Sequence, residues 1–546
     1  MITKRGLRSA TVLAFGIAIL STSAQAVDFT VTDGDGLRSA LSLAVGGDTI
    51  RLQAGNEFVG PFTLPQKTGT GWITLQSTDC AVPALPSPGT RVTPVDASCM
   101  PRLVPKKTGT LSSSDSVVVA APGAGRYRFS GVEIYTPRYI TNLVWIGNSN
   151  ERSISALPHS YIFERSYIHA GAGGARRGIA MNCGNGVVTR RADGTIDWAV
   201  TTGGIQIVDS YFGNIVDQTY ESQAVASWNG AGPFRLENDY FEASGENVIF
   251  GGADPSIKNL IPSDIEIRGN HFKKPLEWKP LGYVVKNLFE LKNAKRVVVR
   301  GNVFENNWIG ADQTGGAIVL TPRNQDGRSA WSTVRDVDFA YNKILNSPQG
   351  LGILGRDDIH RSERTENVAI RHNYFDLHRP DLGNRGRLFQ ISNGAYDIRI
   401  DHNTGFQDRN VIWAYSRANE RVRFTNNLTR HNDCAAGGNT CGIGGDRTGV
   451  GDPTITRYFT NGSVFRQNVM FAGGFPADYA QEQLCSIDGF PVDVSFASDG
   501  SLAVGSPYAA AGVTDAACAG DGLPIGADMT VVNALTARAV AGTRDP

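Results

Sequence analysis

The chain has 546 residues, with 52 basic and 52 acidic side chains, 63 Gly and only 5 Met. Balanced charge excludes the bulk attraction for nucleic acid that a strongly basic protein has. The glycine content speaks for many turns and short strands.

Taken from the start, Met1–Ala26 places Lys4, Arg5 and Arg8 ahead of an apolar run around Val12–Leu20 and closes on Ala24-Gln25-Ala26. This is the pattern of a Sec-type signal peptide with an A-x-A cleavage site, too short to be a membrane anchor. Its removal takes away three positive charges and leaves 49 basic against 52 acidic residues. A secreted or periplasmic protein is expected, with no nucleic-acid partner and no membrane span in the rest of the chain. Next, Asp35 is placed to N-cap a short helix with Leu37, Ala40, Leu41 and Ala44 on one face, ended by Gly46-Gly47 before a strand at Thr49–Leu52. Residues 56–125 read as irregular strands with Pro- and Ser-rich turns.

From about Val132 to Asn468 one short phrase recurs: apolar-x-apolar-x-x-Asn (or Ser)-x-apolar. It appears as FRLENDYF (Phe234–Phe241), IEIRGNHF (Ile265–Phe272), VVVRGNVF (Val297–Phe304), VDFAYNKI (Val337–Ile344) and VAIRHNYF (Val368–Phe375). Asn238, Asn270 and Asn302 lie 32 apart, and Asn342, Asn373 and Asn403 lie 31 and 30 apart. A period of this size means a stacked repeat. Each unit holds short period-2 strands and no stretch long enough for a crossover helix. The expected fold is all-β, a right-handed parallel β-helix of about ten coils with an N-terminal capping helix. A solenoid grows in one dimension, so one elongated domain over 27–475 is expected, followed by a last coil and C-terminal cap over 476–546. The recurring Asn suits a corner, because Asn tolerates left-handed backbone angles, and stacked coils would align it as an internal ladder.

A second set of strands precedes the phrase in each coil, among them Asn247–Phe250, Leu288–Lys292, Ala317–Thr321 and Gly352–Leu354. Long segments leave several of them, at Gly251–Ser263, Pro322–Thr333 and Gly355–Glu366. Such loops build walls, and walls around an exposed sheet make a groove. Arg268–Arg300 holds nine Lys or Arg against Glu277 and Glu290, a local excess suited to an acidic polysaccharide partner. In LFELK, Phe289 and Leu291 point inward, so Glu290 and Lys292 project into the groove; one coil later Thr321 and Arg323 do the same. Coils stack about 4.8 Å apart, so Lys292 and Arg323 flank one sugar. Proton abstraction beside a uronate needs a base and a cation: Lys292, crowded by Lys286, Lys295 and Arg323, is the candidate base and Arg323 its partner. Lys286, Glu290, Asn287, Arg356 and Trp308 are candidate substrate-binding residues. Glu242, Glu246 and Asp254 supply hard oxygen ligands for Ca2+.

Seven cysteines leave one over, and proximity pairs Cys80 with Cys99, Cys434 with Cys441 and Cys485 with Cys518, with Cys183 buried and free. The coil grammar, the helix followed by GDTIRLQAG and the closing SPY…GAD run resemble the pectate-lyase-like superfamily of right-handed β-helix proteins. ELKNAKRVVVRGNVFENN (Glu290–Asn307) is similar to the segment of β-helix alginate and chondroitin lyases in which a Lys on one coil and an Arg on the next perform the elimination beside a calcium. The resemblance puts Lys292 in the base position and Arg323 in the partner position. It departs from the pattern at Val285 and Asn287, where those lyases carry two Glu. A monomeric polysaccharide lyase acting by β-elimination is the leading expectation. A hydrolase using Asp357, Asp358, Asp254, Glu290 or Asp326 is one alternative, and a non-catalytic glycan-binding solenoid presenting Trp228, Trp278, Trp308 and Trp331 is another.

Overall fold

The structure, a computed structural model, describes residues 26–544 apart from 79, 81–83, 311–312, 384–385, 433–440, 474–477 and 515–517. The expected signal peptide, but for Ala26, and Cys434 therefore lie outside the described residues. Each coil runs through three sheets, which hold 16, 13 and 12 strands among the described residues, every pairing parallel; near the C-terminal end two coils contribute two short strands each to the first sheet. The chain is a right-handed parallel β-helix. Twelve strands in the third sheet mark twelve complete coils. The repeat phrase undercounts them because the early strands, Thr49–Leu52 and Ile73–Ser77 among them, precede its first occurrence.

Apolar residues two apart on the first sheet fill the core in register: Ile265 pairs with Val297, Val337, Val368 and Ile398 on successive coils, and all are buried. Phenylalanines of the second sheet stack up the axis beside them, Phe241, Phe272 and Phe304 at centroid spacings of 5.1 and 4.5 Å.

The corner between these two sheets works differently from the sequence expectation. The left-handed backbone falls on the residue before the Asn: Gly269, Gly301, Tyr341, His372 and His402 have φ of 61°, 69°, 57°, 52° and 54°. The Asn itself turns its side chain along the axis. Asn302 donates from both its backbone N–H and its Nδ2 to Asn342 Oδ1 at 2.9 Å, and Nδ2 also donates to Ile267 O at 3.0 Å. The same pattern runs through Asn270, Asn342, Asn373, Asn403 and Asn427 to Asn468. Each member is fully buried with its amide saturated. Asn238 is not part of this column: it takes the left-handed corner at φ 57°, while Asp239 occupies the rung, its N–H donating to Asn270 Oδ1 at 2.8 Å.

The first coil is covered by a helix at Gly34–Leu43, with Leu37, Ala40 and Leu41 packed into the core. Its N-cap is Asp33, whose side chain accepts from Gly36 N at 2.8 Å, and not Asp35, which pairs with Arg38 at the surface. At the other end Tyr479 joins the core and Glu482 closes the ladder, accepting from Asn468 N at 2.9 Å. Gln483 continues the first sheet through a parallel bridge with Arg466, and Met470 N donates to Gly489 O beside the second; the rest of the tail adds no strand to the three sheets among the described residues. It runs back along the Asn corner: Val513 N donates to Asn426 Oδ1 and Asp528 N to His372 Nδ1. The helix Met529–Ala541 then lies over Gly301, and Arg544 pairs with Asp209 at 2.9 Å. Gly301 leaves room for this, since a Cβ there would sit 3.1 Å from Leu535 Cβ. The expected Cys80–Cys99 and Cys485–Cys518 bridges are present and Cys183 is free and buried.

Burial pushes the Glu482 pKa up to about 8 from its ordinary 4.5. The folded state thus holds a proton that the unfolded chain has released, so this group's stabilisation is full below about 4.5 and is lost as pH rises through about 8. Glu482→Gln, which keeps the acceptor without the charge, is expected to flatten that decline. Thermal unfolding of both proteins between pH 5 and 9 checks it, with the variant gaining steadily relative to the parent up to about pH 8 and levelling off above.

Candidate active-site groove on the third sheet

Every coil of the third sheet places two consecutive residues inward, such as Leu288-Phe289 and Ala317-Ile318, then alternates. The outward positions therefore fall at Glu290 and, just past the strand, Lys292. Leu291 pairs with Leu320, Thr321 N donates to Leu291 O at 2.9 Å, and Arg323 N donates to Lys292 O at 2.8 Å. Lys292 and Arg323 are thus on adjacent coils with their backbones bonded to each other.

Their side chains are held by carboxylates. Lys292 Nζ lies 2.9 Å from Glu290 Oε1, and Arg323 Nη1 lies 2.7 Å from Asp357 Oδ1 and 3.1 Å from Asp358 Oδ1. Asp326, the acid nearest Arg323 in sequence, instead pairs with Arg328. Toward the N-terminal end a polar chain continues: Lys286 Nζ bridges Glu246 at 3.2 Å and Glu221 at 3.0 Å, Glu246 accepts from Gln223 at 2.9 Å, and Gln223 accepts from Arg177 at 2.9 Å. Burial raises the pKa of Glu290 against the pull of Lys292 and Lys286. Burial also opposes the charge of Glu246, but Lys286 and Gln223 outweigh it and hold its pKa down, helped by a hydrogen bond with Glu290. The two carboxyls are thus shifted in opposite directions, Glu290 up and Glu246 down. For Lys286, Glu246, Glu290 and Glu221 overcome the burial penalty and hold the ammonium charged beyond the usual lysine range.

Several expectations change. The cation-rich stretch Arg268–Arg300 is not one patch, because the coil distributes it. Arg268 pairs with Glu266 and Arg296 with Asp264 on the first sheet, and Lys273 pairs with Glu305 on the second. Lys274 is fully buried, and Lys295, on the first-sheet strand Ala294–Arg300, faces Arg296, Arg335, Asp264 and Asp336. The contact of Lys292 is an anion, Glu290. Asn287 is buried and donates to Gly316 O at 2.6 Å, which clips two coils together. Trp308 and Trp278 are packed in a small apolar cluster with Val216, Val285 and Leu382. Trp331 donates to Leu260 O. Arg356 sits in the loop after Gln349–Leu354 and bonds Ser362 O at 3.1 Å, its pKa lowered by burial and by Arg364.

The proposed calcium ligands do not converge. Glu242 is on the second sheet, accepting from Tyr240 Oη and Asn214 N. Asp254 staples two loops through Asp326 N, Arg328 N and Ser329 Oγ. Glu246 already faces Lys286. Among the described residues no group of three His, Cys, Asp or Glu is placed to hold a metal. These residues do not fit Ca2+, and the positive charge beside Glu246 is an ammonium.

Sequence reasoning missed two features. Arg–Trp pairs line the third sheet on either side of the central cluster, Arg177 over Trp228 at 5.1 Å and Arg387 over Trp413 at 4.5 Å. The signal available was Trp228 just after QAVAS, and the outward positions of RLFQIS and of NVIWAY, which carries Trp413 one coil later. The other is Lys274, whose Nζ reaches Ala243 O, Gly245 O, Asn247 Oδ1 and Asn287 O at 2.5–3.2 Å. Burial lowers its pKa to about 7, yet four oxygens and no facing donor suit the ammonium form. Lys274 pins the turns that carry Glu246 and Lys286.

No family model matches the sequence, and no curated protein matches it. Among solved structures the chain is similar to a mannuronic acid specific polysaccharide family 6 lyase enzyme from human gut microbiota, with TM-score 0.46, 12% identity and coverage of 86% of this chain and 92% of that one. It is similar also to a variant of the PL6 family alginate lyase AlyGC, with TM-score 0.42 and 14% identity; this covers 92% of the chain but only 58% of AlyGC. The Streptococcus pneumoniae surface protein and adhesin PfbA gives TM-score 0.40, 10% identity, 78% of this chain and 98% of that one. A lyase and an adhesin are matched alike, and at these identities and TM-scores the likeness assigns no activity. No helix among the described residues is long and apolar enough to cross a membrane.

Lys274→Met leaves four buried oxygens without a donor and is expected to destabilise the fold by about 3 kcal/mol or more. Chemical denaturation checks this against Lys273→Met at the surface, where a change within about 0.5 kcal/mol is expected.

Proposed function

We propose that the protein is a secreted, monomeric polysaccharide lyase that cleaves a uronic-acid-containing polysaccharide by β-elimination, with Lys292 as base and Arg323 as its cationic partner. The observation that carries the reading is the backbone bond from Arg323 N to Lys292 O, which sets a base candidate and a guanidinium on adjacent coils of one outward face. Glu290 is the contact of the lysine: at 2.9 Å its carboxyl is placed to exchange a proton with Lys292, whose free amine is the form that acts as base.

The amine then removes the proton α to the uronate carboxylate while Arg323 balances the charge that develops there. The electron pair forms the carbon–carbon double bond as the bond to the β glycosidic oxygen breaks. Lys292, now protonated, returns a proton to that leaving oxygen. The residues present offer no calcium cage, so the charge balance rests on Arg323 and Lys286.

Hydrolysis is the weaker reading for a geometric reason. The carboxylates it would use are already paired with cations, Glu290 with Lys292, Asp357 and Asp358 with Arg323 and Asp326 with Arg328, whereas a hydrolase needs two carboxyls free to flank the glycosidic bond. The two disulfides suit an oxidising compartment and so an extracytoplasmic location.

Incubation with alginate, pectate, glycosaminoglycans and glucuronan, followed by the ultraviolet absorbance of the unsaturated product, tests the reading. Absorbance is expected with one acidic polymer, unaffected by chelator and reduced at least about 100-fold in Lys292→Ala. Reducing ends without absorbance would establish a hydrolase, and retention without cutting a binding module. Unchanged turnover in Lys292→Ala would remove that residue from the site.

A further inference from the structure

A second feature borders the groove where the turns between second- and third-sheet strands of neighbouring coils meet. It is a cleft of about 410 Å3 lined by Tyr139, Gly173, Val216, Asp217, Tyr220 and Tyr283. Tyr139 and Tyr220 keep 41% and 53% of their surface exposed, an arrangement that needs explaining because a tyrosine on a turn is more stable packed. Both rings are nevertheless held in place. Tyr139 Oη donates to Asp217 Oδ2 at 2.7 Å, and the other carboxylate oxygen accepts from Thr219 N at 2.7 Å and Tyr220 N at 2.9 Å. The Arg176 guanidinium sits 5.0 Å from the centre of the Tyr220 ring, and Tyr283 meets Trp278 edge-on at 6.0 Å. Gln218 Nε2 bonds Leu281 O and Val284 N bonds Asp217 O, which ties the two walls together.

Rigid aromatic faces with a few oriented polar groups are what a pyranose ring requires: its C–H face packs on an aromatic ring and its hydroxyls reach polar atoms at the rim. The residue after Tyr220 connects the cleft to the groove, since Glu221 Oε1 holds Lys286 Nζ at 3.0 Å. We infer that this cleft is a saccharide subsite that takes one pyranose residue of the polymer, stacked on Tyr220, on the N-terminal side of Lys286. The inference rests on the groove being a polysaccharide site. It adds a position away from the reacting bond, so the subsite contributes affinity for long chains and not to the chemical step.

The full-length chain, Tyr220→Ala and Tyr220→Phe are titrated calorimetrically with hexamers and dimers of alginate, pectate and glucuronan, and turnover is followed on the polymer that is cut. Tyr220→Ala is expected to weaken hexamer binding about tenfold and raise KM with kcat unchanged, while dimer binding stays the same and Tyr220→Phe retains the parent affinity. Parent-like hexamer affinity in Tyr220→Ala, or no binding of any hexamer by the parent, overturns the subsite. Loss of hexamer binding in Tyr220→Ala with no elimination product from any polymer keeps the subsite and overturns the lyase reading. Elimination that Tyr220→Ala leaves untouched does the reverse.

Discussion

The structure depends on the buried column of side-chain amides at one corner. An Asn that gives two N–H groups to the Oδ1 of the next coil leaves no lone pair or proton unmatched, so each coil can take only one vertical position relative to its neighbour. A slip by one residue would turn every inward Ile and Val of the first sheet to solvent, and a slip by two would leave the amides unpaired in the core. The phenylalanine stack and the paired Val and Ile rows then pack against a register already fixed.

The groove inherits that register. Its polar groups come from coils far apart in sequence, Arg177, Gln223, Glu246, Lys286, Glu290 and Arg323; all but Glu290, which pairs with Lys292 on its own coil, are held by a partner on an adjacent coil or loop. Inside, Lys274 answers four oxygens of the turns that carry two of these groups. A buried ammonium without a carboxylate contact is costly, and its place beneath Glu246 and Lys286 is where coil geometry has to be held most tightly. The returning tail braces the opposite corner, with its terminal helix over Gly301 and Arg544 on Asp209.

Much of this was legible in the sequence and some was not, for identifiable reasons. Period-2 patterning and a repeat near 31 residues report directly on which atoms face the core, so the fold and the adjacency of Lys292 and Arg323 could be read. The corner was read one residue off, because Asn both tolerates left-handed backbone and bonds its neighbours, and the sequence does not say which property is used; the positive φ of Tyr341 and His372 shows that it is the second. The cation cluster of Arg268–Arg300 failed because a coil sends consecutive charges to different faces, where Glu266 waits on the same strand and Asp264 and Glu305 on neighbouring ones. Trp308 and the calcium ligands failed similarly, since closeness in sequence was taken for closeness in space.

Coil register in the region of Lys292 and Arg323 is the claim on which the rest stands, and cross-linking tests it directly. Lys273 and Glu305 are Cα partners on adjacent coils of the second sheet and both face outward, at the separation a disulfide spans. Lys273→Cys with Glu305→Cys is predicted to oxidise to a disulfide that peptide mapping recovers, while Lys273→Cys with Val303→Cys stays reduced. Bond formation by the second pair and not the first would mean a two-residue offset between these coils, and would contradict the placement of Arg323 beside Lys292.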